Sequence, residues 1–392
     1  MIIMFIAPGR SIHSNNWASA MCDRGHTVHF VTQESFIDNP YSFVVKADSR
    51  IIIHRLPFSG KKGFLLNRSA VRSITKKINP DVIHVHQAAG YGLLGTYSDR
   101  EKAFLSVYGW EVYDLVNSKV WKPVIGYILK WYKHIGSTSE CMKKQILKEF
   151  PDLKAPVVVT PFGIDLNKFH EKTVKKQEFI IGTVKKMDKK YGIEYLIQAF
   201  ADVYKEINKS DPEIAERLFL ELVGPGKQID SLKALARDLQ IYSRVRFIGK
   251  TTHEKVPDWL NRFDIYVAPS ILDSESFGVA VIEASACRKP VIVSNVGGLP
   301  EVVKDGVTGY IVRARNSGDI AEKIMILLKE PELRKKMGIA GEALVRERYD
   351  WKRCIDLMEK IYRSIIEKTY VSVFAAAKSG EDRMTGAIKD DD

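Results

Sequence analysis

Short uniformly apolar runs alternate along this chain with longer stretches whose apolar positions recur every three or four residues. The first kind reads as buried strands and the second as amphipathic helices. In the first half the strand candidates are 2–7, 27–32, 51–56, 82–85, 103–107 and 135–139, with a helix at 17–24. A second series begins at 179, with strands at 179–184, 218–223, 245–248, 265–268 and 291–294, and helices at 191–209, 228–239 and 317–329. Strand and helix in regular alternation predict parallel sheets covered on both faces, so the expected fold is α/β with two Rossmann-like, doubly wound domains. In such sheets ligands sit at the carboxyl ends of the strands, which singles out the loops 8–16, 86–91 and 108–114.

The stretch from Pro269 to Glu301 carries the most chemistry. After strand 265–268 a Ser/Asp loop leads into a helix whose first turn is expected at Ser276-Phe277-Gly278. That helix is apolar nearly all round except for Glu283. A bare carboxylate there costs several kcal/mol unless paired, so Glu283 needs a basic side chain or the hydroxyls of a ligand. The amides of Ser276, Phe277 and Gly278 stand at a helix start and suit a phosphate. Glu275 precedes them, and Glu283 follows roughly 9 Å beyond Phe277 at 1.5 Å per residue. Two carboxylates flanking a phosphate-binding helix start fit a nucleotide sugar. The alternative is a solvated first-turn Glu275 and a Glu283 buried against Lys. Asp273-Ser274-Glu275 comes too late, on a loop feeding this helix, to serve as a metal-binding D-x-D, and no other carboxylate cluster has metal spacing.

Glu275 and Glu283, with SFG after the first and EASACRKPV from the second, followed by VGGLPEVVKDGVTGYIV, resemble the E-x7-E signature of retaining glycosyltransferases of family four, glycosyl transferases group 1. The resemblance implies a GT-B fold, two Rossmann-like domains facing across a cleft with the C-terminal helix crossing back to the N-domain. It divides the chain into 1–165 for the acceptor, 166–345 for the nucleotide sugar, a returning helix at 346–370 and a tail at 371–392. It implies retention by front-face substitution, in which the leaving diphosphate oxygen takes the acceptor proton. Glu275 would then hold the donor sugar and Glu283 the ribose, while Ser276, Phe277 and Gly278 meet the diphosphate. GTVKKMDKKYG is similar to the family's G-R-x-x-x-x-K-G. Lys190 matches its Lys, and Lys185 its Arg by spacing, although Lys186 could serve instead. Gly224 matches a turn that lines the donor cleft, and Gly249 lies in a tract resembling the one whose backbone contacts the nucleobase.

In the first half, PGRSIHSNN keeps Gly9 where relatives carry a Gly-Gly pair, and Arg10 and His13 are candidates for the missing anion contacts. DVIHVHQ resembles the family's D-x-x-H-x-H; His84 is expected to face away from His86, as a core residue, with His86 toward the ligand. Tyr108 stands where many relatives place a His beside the transferred sugar, and with an ordinary pKa near 10 it is a poor base. That replacement leaves open a catalytically silent, nucleotide-sugar-binding subunit. A UDP-linked donor is favoured over GDP-mannose because ESFGVAVIEAS resembles members that elongate polyprenyl-linked glycans, and polysaccharide synthesis is the expected setting. No metal or cofactor is expected.

Charge narrows the partners. The net charge is +12, and residues 1–165 hold 21 Lys/Arg against 13 Asp/Glu. Without a nucleic-acid module or aromatic-basic platform, an anionic membrane or phosphate-bearing acceptor fits better than nucleic acid. Residues 58–78 read as one helix with Phe64, Leu65, Val71, Ile74 and Ile78 as an apolar stripe amid Lys and Arg, suited either to a membrane interface or to packing on the sheet. Four scattered cysteines and an N-terminus without a charged n-region point to a cytoplasmic chain, peripheral on the inner membrane face. The tail receives no function.

Overall fold

The computed structural model describes residues 1–33 and 48–370; the tail expected at 371–392 lies outside them. The chain forms two compact units, Met1–Thr160 with the chain from Ile355 onward, and Pro161–Cys354.

The first unit holds a seven-stranded sheet of β1 (Ile2–Ile6), β2 (Thr27–Thr32), β3 (Ile52–Arg55), β4 (Val82–His86), β5 (Ala103–Val107), β6 (His134–Ser137) and β7 (Val157–Val159). Their order is β3-β2-β1-β4-β5-β6-β7, and every pairing is parallel. The second unit has six strands, β8 (Phe179–Val184), β9 (Leu218–Val223), β10 (Val245–Gly249), β11 (Ile265–Ala268), β12 (Val291–Ser294) and β13 (Gly309–Val312), ordered β10-β9-β8-β11-β12-β13, again all parallel. Central strands such as β4, β5, β11 and β12 are buried at every position, the signature of sheets covered on both faces. Each unit is therefore a Rossmann-like doubly wound sheet, as the alternating pattern predicted.

Strand order reverses direction between β1 and β4 in one sheet and between β8 and β11 in the other. Loops leaving the two strands at such a switch point splay apart and leave a crevice. The loops after β1 and β4, and those after β8 and β11, hold most of the candidate residues; Tyr108, Gly224 and Gly249 lie at the ends of the neighbouring strands β5, β9 and β10.

Several expectations change. The helix expected at 17–24 already begins at Ile12, capped by Ser11 Oγ accepting from the Ser14 amide at 3.3 Å, so His13 is helical. The stretch 58–78 is two helices, Gly60–Leu66 and Arg68–Ile78. They break at Asn67, whose amide side chain accepts from the Phe58 N–H (3.1 Å) and donates to its carbonyl (2.7 Å). Of the expected stripe, Phe64, Val71, Ile74 and Ile78 pack on the sheet's core, while Leu65, with Leu66 and Phe58, faces solvent. The C-terminal helix Trp351–Ile366 belongs from Ile355 to the first unit, where Arg24 and His26 hold Glu359 and Tyr362 reaches His84. No helix among the described residues is long and apolar enough to cross a membrane.

Candidate functional site

At the switch point of the second unit, the loop after β8 carries Lys185 to Gly192 and the loop after β11 carries Pro269 to Gly278. The Ile271 amide donates to the Lys190 carbonyl at 2.9 Å and ties the loops together. Lys185 ion-pairs with Glu275 through Nζ and Oε1, both side chains about nine-tenths buried. Lys185 Nζ and Lys190 Nζ lie 5.0 and 4.8 Å from the centroid of the Tyr191 ring, so one aromatic ring gathers both ammonium groups. Lys186, the other candidate, is exposed, whereas Lys185 is drawn in against Glu275. Gly224 shapes this loop rather than offering a free donor: its amide donates to the Gly249 carbonyl at 2.8 Å, and a Cβ there would stand 1.9 Å from the Lys185 carbonyl oxygen. Gly249, by contrast, has open space where a side chain would be.

The signature helix is Val279–Ala286, starting three residues later than expected. Gly278 precedes it in the left-handed region (φ 96°), a conformation that delays the helix and that a side chain would resist. Ser276 and Phe277 are therefore loop residues. The Phe277 ring is buried against Phe162 and Tyr349, leaving only its main chain for a ligand. The amides of Phe277, Gly278, Val279 and Ala280 have no hydrogen-bond partner among the described residues. Gly297 and Gly298 hold the loop in place. The Gly297 amide donates to Asp273 Oδ1 (3.0 Å) and that of Gly298 to the Glu275 carbonyl (2.9 Å), at a distance only glycine allows.

Glu283 is 5% exposed, and its Oε1 lies 3.0 Å from His253 Nε2. The partner required on physical grounds is thus a histidine. Sequence reasoning missed His253, although a basic residue just past the Gly249 turn was a signal that could have found it. The carboxylate holds the imidazole's pKa above its ordinary value against the opposing effect of burial. The buried Tyr266 hydroxyl is pushed up first by burial, and Glu283 and Glu275 both add to the shift, so each carboxylate acts on it.

In the first unit His84 and His86 do not face opposite ways. Residues two apart on a strand share a face, and their rings lie 4.2 Å apart, both fully buried. His84 is a core residue held by Tyr362 Oη (2.6 Å) and Ser106 Oγ (2.8 Å). His86 is equally sealed and does not open onto a cleft. Its Nδ1 lies 2.8 Å from Ser14 Oγ and 2.7 Å from Tyr108 Oη. Burial pushes His84 down to about 3 and His86 well below its usual range, so both are neutral, and burial raises Tyr108 further from any role as a base. Glu111, another residue missed, is fully buried and accepts from the Ala88 amide at 3.0 Å, fastening the Tyr108 loop to the end of β4. His13 stacks edge-on at 6.2 Å from Tyr108, and Arg10 is exposed nearby in the chain. Gly9 is not an open donor, because its amide donates to Thr32 Oγ1 at 3.1 Å.

The profile described as Glycosyl transferases group 1 matches residues 165–344, and that of Glycosyl transferase 4-like matches residues 2–139. The chain is similar to an uncharacterised glycosyltransferase of Methanocaldococcus jannaschii, 25% identical and covering 91% of this chain and 95% of that one. It is also similar to the N-acetyl-alpha-D-glucosaminyl L-malate synthase of Bacillus anthracis, 24% identical over 91% and 94%. Among solved structures, the Anabaena protein HepE in complex with UDP superposes with a TM-score of 0.77, at 17% identity, over 93% of this chain and all of that one. A sucrose-phosphate synthase of Thermosynechococcus elongatus superposes with a TM-score of 0.74 at 19% identity over 94% and 99%. These two likenesses establish the GT-B fold.

Proposed function

Because the chain belongs to the glycosyl transferases group 1 family and is a glycosyltransferase, we propose that it moves a hexose or N-acetylhexosamine from a UDP-linked donor to a hydroxyl of a glycan or polyprenyl-linked acceptor, with retention and without a metal. The observation that carries this reading is the gathering of Lys185, Lys190, Glu275, the unpartnered amides and Glu283 around the switch point of the second unit. The nucleotide sugar belongs to that unit and the acceptor to the first.

Each group has a physical task. Lys190, Lys185 and the amides of Phe277 and Gly278 stabilise the charge that builds on the leaving diphosphate, the work a metal does elsewhere. Glu275 accepts from donor-sugar hydroxyls, oriented by Lys185. Glu283 accepts from the ribose. The leaving diphosphate oxygen takes the acceptor proton, so no protein base is needed, and Tyr108, Arg10 and His13 have positioning roles at the sugar and acceptor side. UDP is supported by relatives of the same fold solved with UDP and with UDP-glucose. The exposed Phe58, Leu65 and Leu66 beside Lys61 and Lys62 give an anionic membrane surface a place to dock, which co-sedimentation with phosphatidylglycerol vesicles tests.

A thermal-shift screen over nucleotide sugars tests the reading. UDP-glucose or UDP-N-acetylglucosamine should raise the unfolding temperature; no response to any nucleotide sugar would sink it. Tyr108 favours one other reading, a silent nucleotide-sugar-binding subunit. Release of free sugar or a glycosylated product from the stabilising donor excludes that reading.

A further inference from the structure

Glu283 is steered by a residue that lies outside the E-x7-E pattern. His253 sits in the turn His253–Lys255, four residues beyond the end of β10 at Gly249, and Phe169 covers its ring at 5.6 Å. Its Nε2 takes one carboxylate oxygen, Oε1, at 3.0 Å. The other, Oε2, has no partner among the described residues and is not one of the sealed, unsatisfied atoms, so it remains open to a ligand. The charged groups facing the imidazole are Glu283, Glu254 in its own turn, and Lys168 from the turn after Ile164.

We propose that His253 is a positioning residue for nucleotide binding: it clamps Oε1 of Glu283 so that Oε2 meets the vicinal hydroxyls of a ribose, and the clamp is tightest when the imidazole is protonated. This rests on reading the second unit as a nucleotide site. The physical reason is that protonating the imidazole turns a hydrogen bond with one ionised partner into an ion pair, adding the attraction of a full opposite charge on the donor. Without it, the carboxylate can turn within its pocket and lose the orientation the hydroxyls need. Glu283 raises the pKa of His253, opposed by burial and Lys168. The protonated clamp is therefore complete below the ordinary value near 6.5 and is lost as pH rises through the raised one.

The test is calorimetric titration of UDP, with GDP in parallel, from pH 6 to pH 9. The proteins are the parent, His253→Gln, His253→Arg, Glu283→Gln and the double variant His253→Gln/Glu283→Gln. The parent Kd should weaken about tenfold across the range. His253→Gln should be weak and flat with pH, and His253→Arg tight and flat. In the Glu283→Gln background, His253→Gln should add no further loss. Ionisation of the nucleotide's own phosphate is common to every protein and cancels in the ratios. His253→Arg carries the test should the Gln variant fail to fold, since loss of the parent's pH dependence without loss of affinity reports the clamp alone. Parallel pH curves for the parent and both His253 variants would overturn the inference while leaving the nucleotide site standing. Additive losses in the double variant would overturn the route through Glu283. No binding of either nucleotide to the parent would remove the site reading, and this inference with it.

Discussion

The two units place their candidate residues at the same point of the same fold, yet they solve opposite electrostatic problems. At the switch point of the second unit ionisable groups are paired, Lys185 with Glu275 and His253 with Glu283. At that of the first the two histidines are neutral and buried: His84 bonds Tyr362 and Ser106, and His86 bonds Ser14 and the half-buried Tyr108. Charged pairs at a pocket edge can exchange partners with an incoming dianion at modest net expense. A neutral network deep in apolar surroundings cannot accept a charge and instead fixes geometry. The topology offers a crevice; the polarity of its lining decides whether phosphate or a neutral hydroxyl suits it.

The comparison can be broken most directly through Lys190. Lys190→Ala should lower kcat for UDP-sugar turnover by about 10²-fold, and unchanged turnover would take the diphosphate role away from the lysine loop. Glu283→Ala should act mainly on binding, raising the donor KM about tenfold or more with little change in kcat. Equal kinetics for the two variants would show that the pocket is not divided as proposed.

Acid separates the units next. His84 and His86 have folded pKa values below their unfolded value near 6.5, so the stability they contribute is present above that pH and lost as pH falls toward the depressed values. For His84 alone this is about 2 kcal/mol by pH 5. His253 has the opposite sign, its pair with Glu283 being complete at low pH. Hydrogen exchange, corrected for intrinsic rates, should show β4 and β5 losing protection between pH 7 and pH 5 while the helix Val279–Ala286 keeps it. The reverse order would contradict the assignment of charge to one unit and neutrality to the other.

The smallest effect is expected at Tyr108. Tyr108→Phe removes one of two hydroxyls at His86 Nδ1 and should cost about 1 kcal/mol in urea unfolding. Tyr108→His should leave stability similar and give kcat a new dependence on pH on the acid side of neutrality, because the burial that lowers His86 acts there as well. A flat profile would place that side chain away from the reacting sugar.

What was legible along the chain follows from what is local. Parallel strands buried on both faces must be apolar throughout, so β1, β5, β11 and β12 stood out. Glu283 in an apolar helix announced that it needed a partner. Other features depended on residues far away in sequence. The helix start was misplaced because Ser276-Phe277-Gly278 was read as its first turn, whereas Gly278 in its left-handed conformation, with Gly297 and Gly298 pinning the preceding loop, sets the true boundary. The single helix expected at 58–78 was broken by one side chain, Asn67, turning back to Phe58. The two histidines of β4 were assigned to opposite faces by a misjudged period, and the structure restores the rule that alternate residues share a side.

By itself the sequence determined the two doubly wound sheets, the order of their elements and the acidic pair at 275 and 283, because hydrophobic period and motif spacing are written in neighbouring residues. Only the tertiary structure decided who neutralises whom: that Lys185 meets Glu275 across 90 residues, that His253 rather than a lysine meets Glu283, and that His86 is sealed behind Tyr108. Pairing and burial depend on which strand lies beside which, and that is settled by the order of strands in the sheet rather than along the chain.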